Sequence, residues 1–222
     1  MPSTSALSKR LKAESIPHHA NANIAATLVP GDLEAMQDEV AGHVASILRS
    51  LGIEQDHNTA DTPKRVAKML VCEVFAGRYQ PAPCVTDFPN VTNLDQIYVV
   101  GPITVRSCCA HHLVPIIGQA WVGVVPSARV IGLSKFHRLT EWIMARPQIQ
   151  EEATQHLADA IEKAVQPRAL GLVVRAKHLC CTWRGVRDDG TLMTTSVMRG
   201  LFKTDGNARR ELLALMAGQG FK

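Results

Sequence analysis

Two short segments of the sequence each carry cysteine and histidine at close spacing. The first is Cys108-Cys109-Ala110-His111-His112, and the second is His178-Leu179-Cys180-Cys181. Thiolate and imidazole bind zinc tetrahedrally, and a catalytic site uses three such ligands and leaves the fourth position open. The two segments offer more ligands than a closed site needs, so some histidines remain for proton transfer near neutral pH. The spacing indicates a metal centre, but it does not select which cysteine of each pair binds.

The backbone must bring these side chains together. The segment Leu170–Ala176 has the composition of a buried strand and is predicted to continue through Cys180, so His178 and Cys180 would share a face. Cys109 and His112 are three residues apart and need a turn to converge. Isolated cysteines and histidines are usually structural, and ordinary roles are predicted for Cys72, Cys84, His18, His19, His43, His57 and His156.

Positive charge and one polar pair suggest an anionic, base-containing ligand. Cations at predicted helix starts and loops would together suit a polyphosphate, although each alone is typical of a solvated surface: Arg65, Lys68, Lys135, Arg138, Arg184 and Arg187. The chain has no GxxxxGK[ST] motif, which argues against a P-loop enzyme. Gln150-Glu151 could recognise a guanine edge, or could simply be an acidic first turn of a helix.

The elements that would position these residues follow an α+β order, with helices first and then antiparallel strand pairs around two consecutive helices. Apolar periodicity and capping signals predict helices over Asp32–Leu51, from Thr62-Pro63 to Gly77, over Ser134–Ala145, about Gln150–Val165, and over 208–216. Strands are predicted at Ile97–Val105, Ile116–Val125, Leu170–Ala176 and Thr191–Met198. We expect residues 1–30 to form a flexible N-terminal arm, 31–90 an N-terminal helical part, and 91–222 the catalytic domain.

Composition limits the classes of protein. The 222 residues carry a formal net charge of +4, which is too weak for a nucleic-acid-binding signature. Six cysteines are too few for a disulfide scaffold and favour a reducing compartment. No segment has the pattern of a signal peptide or a membrane span. We therefore expect a cytoplasmic protein that binds neither nucleic acid nor membrane.

Several stretches, in this order and spacing, resemble GTP cyclohydrolase I, and they cover most of residues 33–216. They are TPKRVAKM (62–69), CAHHLVPIIGQAWVGVVP (109–126), VIGLSKFHRL (130–139), RPQIQE (146–151), HLCCTWRGVR (178–187) and TTSVMRGLF (194–202).

The resemblance implies the tunnelling (T-fold) architecture, an antiparallel sheet backed by two antiparallel helices, preceded by an N-terminal helical extension. It implies zinc-dependent hydrolysis and ring rearrangement of GTP to 7,8-dihydroneopterin triphosphate with release of formate, the first step of pterin and folate biosynthesis. It also implies a homodecamer with active sites between subunits. By position, the site residues would be Cys109, His112 and Cys180 for zinc; His111 and His178 for acid–base catalysis; Gln150 and Glu151 for guanine; and Arg65, Ser134, Lys135, Arg138 and Arg184 for the ribose and triphosphate.

One residue departs from the family pattern. Ala110 stands where the family usually has Glu, between the cysteine and the two histidines. Loss of that carboxylate would alter the orientation or the pKa of His111, while every proposed metal ligand is retained. Two alternatives therefore remain open: a T-fold relative acting on another purine triphosphate, or a catalytically weak nucleotide-binding homologue.

Overall fold

The structure is a computed structural model that describes residues 6–16, 18–53 and 56–221. Its described residues form two compact units, one up to Pro81 and one from Ala82 onward. Among these residues, none of the helices combines the length and apolar character needed to cross a membrane.

The first unit is helical. Its α-helices are α1 (Ala6–Ala13), α2 (Asp32–Ser50), α3 (Thr62–Lys68) and α4 (Ala76–Tyr79), with a 3₁₀ turn at Ala25–Thr27. Helix α2 confirms the helix predicted from Asp32 and ends just before Gly52, whose φ is +70°. The helix predicted to stop at Gly77 instead changes type after Lys68, because a π-helical segment (Met69–Val74) follows and the Phe75 amide bonds to the Leu70 carbonyl.

The N-terminal segment contains ordered contacts within this unit. Leu11 on α1 and Ile24 are buried, and the Arg10 guanidinium forms an ion pair of 2.5 Å with Asp32 at the start of α2. The Asn23 amide donates to the Gly77 and Gln80 carbonyls. The flexibility expected for the whole of residues 1–30 stays a prediction, and residues 1–5 and 17 lie outside the described residues.

The second unit is built on a five-stranded sheet with the order β5-β2-β3-β6-β7. Its strands are β2 (Tyr98–Cys109), β3 (Pro115–Val125), β5 (Pro147–Gln148), β6 (Ala169–His178) and β7 (Met193–Gly200), while β1 (Asp87–Pro89) and β4 (Arg129–Ile131) form a separate pair. Strands β2, β3, β6 and β7 are antiparallel neighbours, and β5 adds a two-residue parallel edge to β2.

Helices cover the sheet on both faces. Helices α5 (Leu133–Met144) and α6 (Gln150–Val165) bury Phe136, Leu157 and Ile161 against the strands. On the other face, a short helix α8 (Leu201–Thr204) and α9 (Gly206–Gly218) cover Trp121 and Val173. An antiparallel sheet backed by two consecutive helices confirms the predicted α+β fold and its T-fold architecture.

The end of β6 differs from the sequence prediction. The strand was predicted to continue through Cys180, but it ends at His178, and Leu179–Thr182 forms a short helix, α7. The physical reason is visible in the hydrogen bonds, since the Trp183 amide bonds back to the Leu179 carbonyl in a helical turn. His178 and Cys180 therefore do not share a strand face, and their side chains are placed by two different elements.

Candidate metal centre and active site

The β2–β3 connection brings two of the proposed ligands to one end of the sheet. Cys109 is the last residue of β2, and its amide and carbonyl bond to Val114 and Leu113 across a tight turn. Leu113 adopts a left-handed conformation, with φ of 52°, which allows the chain to reverse within so few residues. His112 lies in this turn, so the turn supplies the convergence that a spacing of three residues requires.

Helix α7 supplies the third ligand. Cys180 packs against Cys109, Ile116 and Ala176 at the end of the sheet. The ligand atoms of Cys109, His112 and Cys180 all lie within 4.8 Å of one another. The distance from Cys109 Sγ to His112 Nδ1 is 4.0 Å. A sulfur and a nitrogen that bind the same tetrahedral zinc ion lie about 3.5 Å apart, so only a small shift is needed.

The protonation of Cys180 fits a site that requires a cation. Burial, together with the neighbouring Cys109 thiol, raises the pKa of Cys180 to about 11. The Cys180 thiol therefore keeps its proton until a metal cation binds, and metal binding would release that proton. Two sulfur atoms and one imidazole nitrogen form a donor set typical of zinc.

His178 lies beside this group with a defined partner. It is the last residue of β6, and its Nε2 lies 2.8 Å from Oε1 of Gln150, the first residue of α6. Burial lowers the pKa of His178, and the charge of Glu151 opposes that effect. A histidine that stays neutral near pH 7 is suited to accept a proton.

The remaining residues predicted for catalysis and base recognition have contrasting surroundings. His111 is exposed in the β2–β3 turn, with its ring centroid 6.3 Å from that of His112. Glu151 is exposed in the first turn of α6. Gln150, in contrast, is only 3% exposed. Its amide nitrogen lies within hydrogen-bonding distance of Val174 O, Met193 O and Thr195 Oγ1, so the side chain expected to recognise guanine is engaged by the protein.

The residues predicted to bind phosphate are only partly brought together. Arg184 Nη1 lies 3.3 Å from His112 Nε2, which places this guanidinium at the metal-ligand group. Ser134, Lys135 and Arg138 follow one another along the start of α5, and Lys135 Nζ donates to the Cys84 carbonyl. Arg65 belongs to α3 of the first unit, where it forms an exposed ion pair with Asp61.

The sequence analysis did not identify two threonines that support this site. Thr154 and Thr195 have hydroxyl oxygens 2.7 Å apart, and Thr195 accepts from the Gln150 amide. A signal for Thr154 existed, because it lies one helical turn after Gln150 in the buried stripe of α6. The threonine-rich composition of β7 had indicated only a strand.

Fold and site together define a class of protein. The sheet backed by two helices, with two thiols and an imidazole gathered at one end of it, is a T-fold with a candidate metal centre. The family model described as GTP cyclohydrolase I matches residues 40–217. The chain belongs to the GTP cyclohydrolase I family.

Curated relatives agree with this assignment. The chain is 39% identical over 184 residues to a GTP cyclohydrolase 1 of Erwinia tasmaniensis, covering 82% of this chain and 83% of that protein. It is 37% identical over 191 residues to a GTP cyclohydrolase 1 of Aeromonas hydrophila, covering 84% and 88%. A crystal structure of an archaeosine synthase QueF-like protein aligns with 14% identity and a TM-score of 0.37, over 54% of this chain and 97% of that one.

Proposed function

We propose that this protein is a zinc-dependent GTP cyclohydrolase I. It would convert GTP and one water into 7,8-dihydroneopterin triphosphate and formate, with C8 of the purine leaving as formate. The observation that carries the proposal is the Cys109, His112 and Cys180 group beside His178, in a chain of this family. It rests on residue types suited to hydrolysis at a purine carbon and on the close grouping of the three ligand atoms.

The three ligands fit zinc and leave room for the reaction. Two thiols and one imidazole are the donors that zinc prefers, and three protein ligands leave one position open. These residues would hold zinc, which would supply Lewis-acid activation of water near neutral pH. Arg184 Nη1 lies 3.3 Å from His112 Nε2, which places a cation next to the ligand group.

The two remaining histidines provide acid–base chemistry. His178, with its lowered pKa, is the candidate to accept a proton as the imidazole ring of GTP opens. His111, exposed in the adjacent turn, is the candidate to return a proton to the ring nitrogen or the ribose oxygen. Such transfers contribute roughly 10²- to 10⁴-fold to a rate.

Substrate binding divides between the base and the triphosphate. The exposed carboxylate of Glu151 can accept from the N1 and 2-amino groups of guanine, which both donate. The cations suit the triphosphate because guanidinium and ammonium groups form charge-assisted hydrogen bonds with phosphate. These residues are Ser134, Lys135, Arg138 and Arg184, together with Arg65 of the first unit.

We also propose a homodecamer with active sites between subunits, located in the cytoplasm. The sheet has an edge strand that could join a neighbouring subunit. Within the described residues, β7 is the last strand of the sheet and pairs with β6 on one side only. Unpaired strand edges are surfaces where sheets of neighbouring chains join. All six cysteines are free thiols, which supports a reducing compartment.

Turnover of GTP is the direct test. We expect equal amounts of formate and of a pterin that becomes fluorescent after oxidation and dephosphorylation. ATP and ITP should be assayed in parallel, because Ala110 replaces the usual glutamate of the family and motivates an altered substrate preference. Formate and the corresponding pteridine from ATP or ITP, with neither formate nor pterin from GTP, would replace the proposal with the alternative substrate. No turnover with any of the three would favour a nucleotide-binding homologue.

A further inference from the structure

Two cysteines adjoin the metal-ligand group without belonging to it. Cys108 precedes Cys109 at the end of β2, and Cys181 follows Cys180 in α7. The proposed hydrolysis uses neither of these two thiols. The backbone distinguishes them, because one cysteine pair lies on a strand and the other on a helical turn.

Strand β2 directs Cys108 away from the ligands. Successive side chains of a strand point to opposite faces of the sheet, so Cys108 and Cys109 face opposite sides. Cys108 is only 2% exposed, and its Sγ lies 3.9 Å from the carbonyl oxygen of Cys109, its hydrogen-bond partner. The Cys108 sulfur therefore could not share an ion with Cys109 Sγ unless the end of β2 were distorted.

Helix α7 keeps the sulfur atoms of the second pair close together. Cys180 Sγ and Cys181 Sγ are 4.0 Å apart. With a metal–sulfur bond of about 2.3 Å, two sulfur atoms that share one ion lie at most about 4.6 Å apart. Cys180 also packs against Cys109, and the ligand atoms of these two residues lie within 4.8 Å of each other. Cys180 thus links the thiol of Cys109 to that of Cys181.

Cys181 changes the kind of metal site that this end of the sheet offers. Without Cys181, the donors are two thiols and the imidazole of His112, which suit zinc. With it, three thiols are available after a shift of one half-buried side chain. Soft thiolate ligands select Cu(I), whereas zinc also binds well to imidazole and water.

The charge beside the group also favours a complex made of sulfur ligands only. Zinc bound by two thiolates is electrically neutral, whereas Cu(I) bound by three thiolates carries net negative charge. Arg184 Nη1 lies 3.3 Å from His112 Nε2, so a guanidinium is next to the group. A nearby positive charge stabilises an anionic complex more than a neutral one.

We propose that Cys109, Cys180 and Cys181 form a second metal site, which overlaps the zinc site and binds Cu(I) through three thiolates. Binding is a ligand exchange without electron transfer, because copper enters and stays as Cu(I) and zinc leaves as Zn²⁺. The Cys181 thiol loses its proton to solvent as it binds. Cys109 and Cys180 are shared between the two sites, so one chain holds either zinc or copper.

Chemical footprinting of the thiols tests this site without turnover. The zinc-loaded full-length protein is alkylated with iodoacetamide before and after anaerobic addition of equimolar Cu(I), and mass spectrometry identifies the cysteines that react. Cys181 is the informative thiol, since Cys109 is buried in either case. We expect Cys181 to react in the zinc form and to be protected in the copper form. Zinc should be released in an amount equal to the copper bound.

Two matched variants test whether Cys181 itself binds copper. Cys181→Ala and Cys108→Ala each remove one thiol that adjoins a proposed zinc ligand, and alanine adds no donor. Competition with bicinchoninate measures their affinity for Cu(I). Cys181→Ala should lose affinity by about tenfold or more, because a soft donor is missing. Cys108→Ala should stay within about twofold of wild type, because its side chain faces the opposite side of β2.

Several results would overturn the proposal. A Cys181 that still reacts when Cu(I) is bound would show that copper uses the zinc ligands alone, and copper bound without release of zinc would show that the sites do not overlap. Protection of the exposed thiols of Cys72 or Cys84 would place the copper elsewhere. An equal loss of affinity in Cys108→Ala would assign the effect to disturbed packing.

The proposed function is tested separately, because none of these measurements involves GTP. Failure of the wild type to release formate from GTP would refute the hydrolysis and leave the copper site standing. Reactivity of Cys181 in the copper form, in a protein that releases formate, would refute only the copper site.

Discussion

The different roles proposed for Cys180 and His178 follow from their different surroundings at the end of the sheet. Cys180 lies with a second thiol and an imidazole in the metal-ligand group. His178, two residues earlier, faces an amide oxygen that accepts its proton. The change from strand to helix at Leu179 separates the two side chains, so that one is directed to the metal-ligand group and the other to Gln150.

The ligand assignment predicts which cysteines matter for metal content. Cys109→Ser and Cys180→Ser should each reduce zinc from about one ion per chain to near zero, because a serine hydroxyl replaces a thiolate in a three-ligand site. Metal analysis after purification without chelator measures this content. Cys181→Ser is the matched control, since Cys181 adjoins Cys180 but lies outside the group, and it should retain zinc. Zinc lost from Cys181→Ser and kept in Cys180→Ser would reverse the assignment.

His178 is predicted to act on protons and not on the metal. His178→Ala should lower kcat for pterin formation by about 10²- to 10⁴-fold while zinc content stays at the wild-type level. The reason is that the imidazole contacts Gln150 and is absent from the ligand group. Formate release and zinc content are measured on the same preparation. Loss of zinc together with activity would show that His178 is a ligand.

At the scale of elements, periodic segments were predictable and junctions were not. Helix α6 occupies the predicted residues Gln150–Val165, because its apolar stripe is regular. The π-helical segment after Lys68 and the helical turn after His178 depend on individual backbone hydrogen bonds that leave no periodic signal. The carbonyls that surround the Gln150 amide after folding also leave no signal in the sequence, and the role of this residue in guanine recognition stays a prediction.

Gly118 is predicted to be essential for pairing between β3 and β6. A Cβ at this position would lie 2.1 Å from Arg175 O and 2.5 Å from Ala176 Cα, and neither backbone atom can move without distorting β6. Gly118→Ala should lower the free energy of unfolding by about 1–3 kcal/mol. Denaturant unfolding gives the value.

Gly42 in α2 is the matched control for that substitution. Nothing lies within 4 Å of a Cβ added there, and alanine favours a helix over glycine. Gly42→Ala should therefore stabilise the protein by about 0.5–1 kcal/mol. Equal effects of the two substitutions would contradict the close strand packing at Gly118.

The contact between α1 and α2 should depend on pH. The Arg10 guanidinium bonds to Asp32 and holds the pKa of that carboxyl below its usual value. Between about pH 4 and the lowered pKa of Asp32, the folded protein binds fewer protons than the unfolded chain. The stabilisation by the Arg10–Asp32 ion pair is therefore fully present above this pH range and is lost as pH falls through it. Arg10→Met should thus be less stable than wild type at pH 7, and the difference should shrink at about pH 3.

Thermal unfolding at both pH values measures that difference. Lys12→Met, at an exposed position of the same helix, is the control and should differ from wild type equally at both pH values. A difference for Arg10→Met that persists at low pH would mean that the side chain stabilises α1 by packing alone.

At the scale of the whole molecule, the residues proposed for one reaction come from both units. Arg65 belongs to the helical unit, and the metal-ligand group and His178 belong to the sheet unit. If active sites lie between subunits, a chain could supply its Arg65 to the site of a neighbour. Heterologous contacts in a ring pair different surfaces of adjacent chains, which makes such sharing geometrically natural.

Mixed oligomers test this sharing. Arg65→Ala and His178→Ala chains, each weak alone, should regain activity when co-expressed at equal levels, to about one quarter of wild type if two chains contribute to each site at random. A site is intact when the chain that supplies Arg65 carries the His178 change and the chain that supplies His178 carries the Arg65 change. Formate release at GTP concentrations below KM is the measurement, because loss of a phosphate contact acts mainly on binding.

The control mixes two changes that fall in one cluster of a single chain. Cys109→Ser and His178→Ala should give no recovery, because Cys109 groups with Cys180, two residues from His178, and every chain in the mixture has a damaged cluster. Recovery in this control would mean that chains had exchanged whole segments, and the Arg65 result could not then support sharing. Absence of recovery in the Arg65 mixture, with mixed oligomers verified by mass, would place Arg65 and His178 of one site in the same chain.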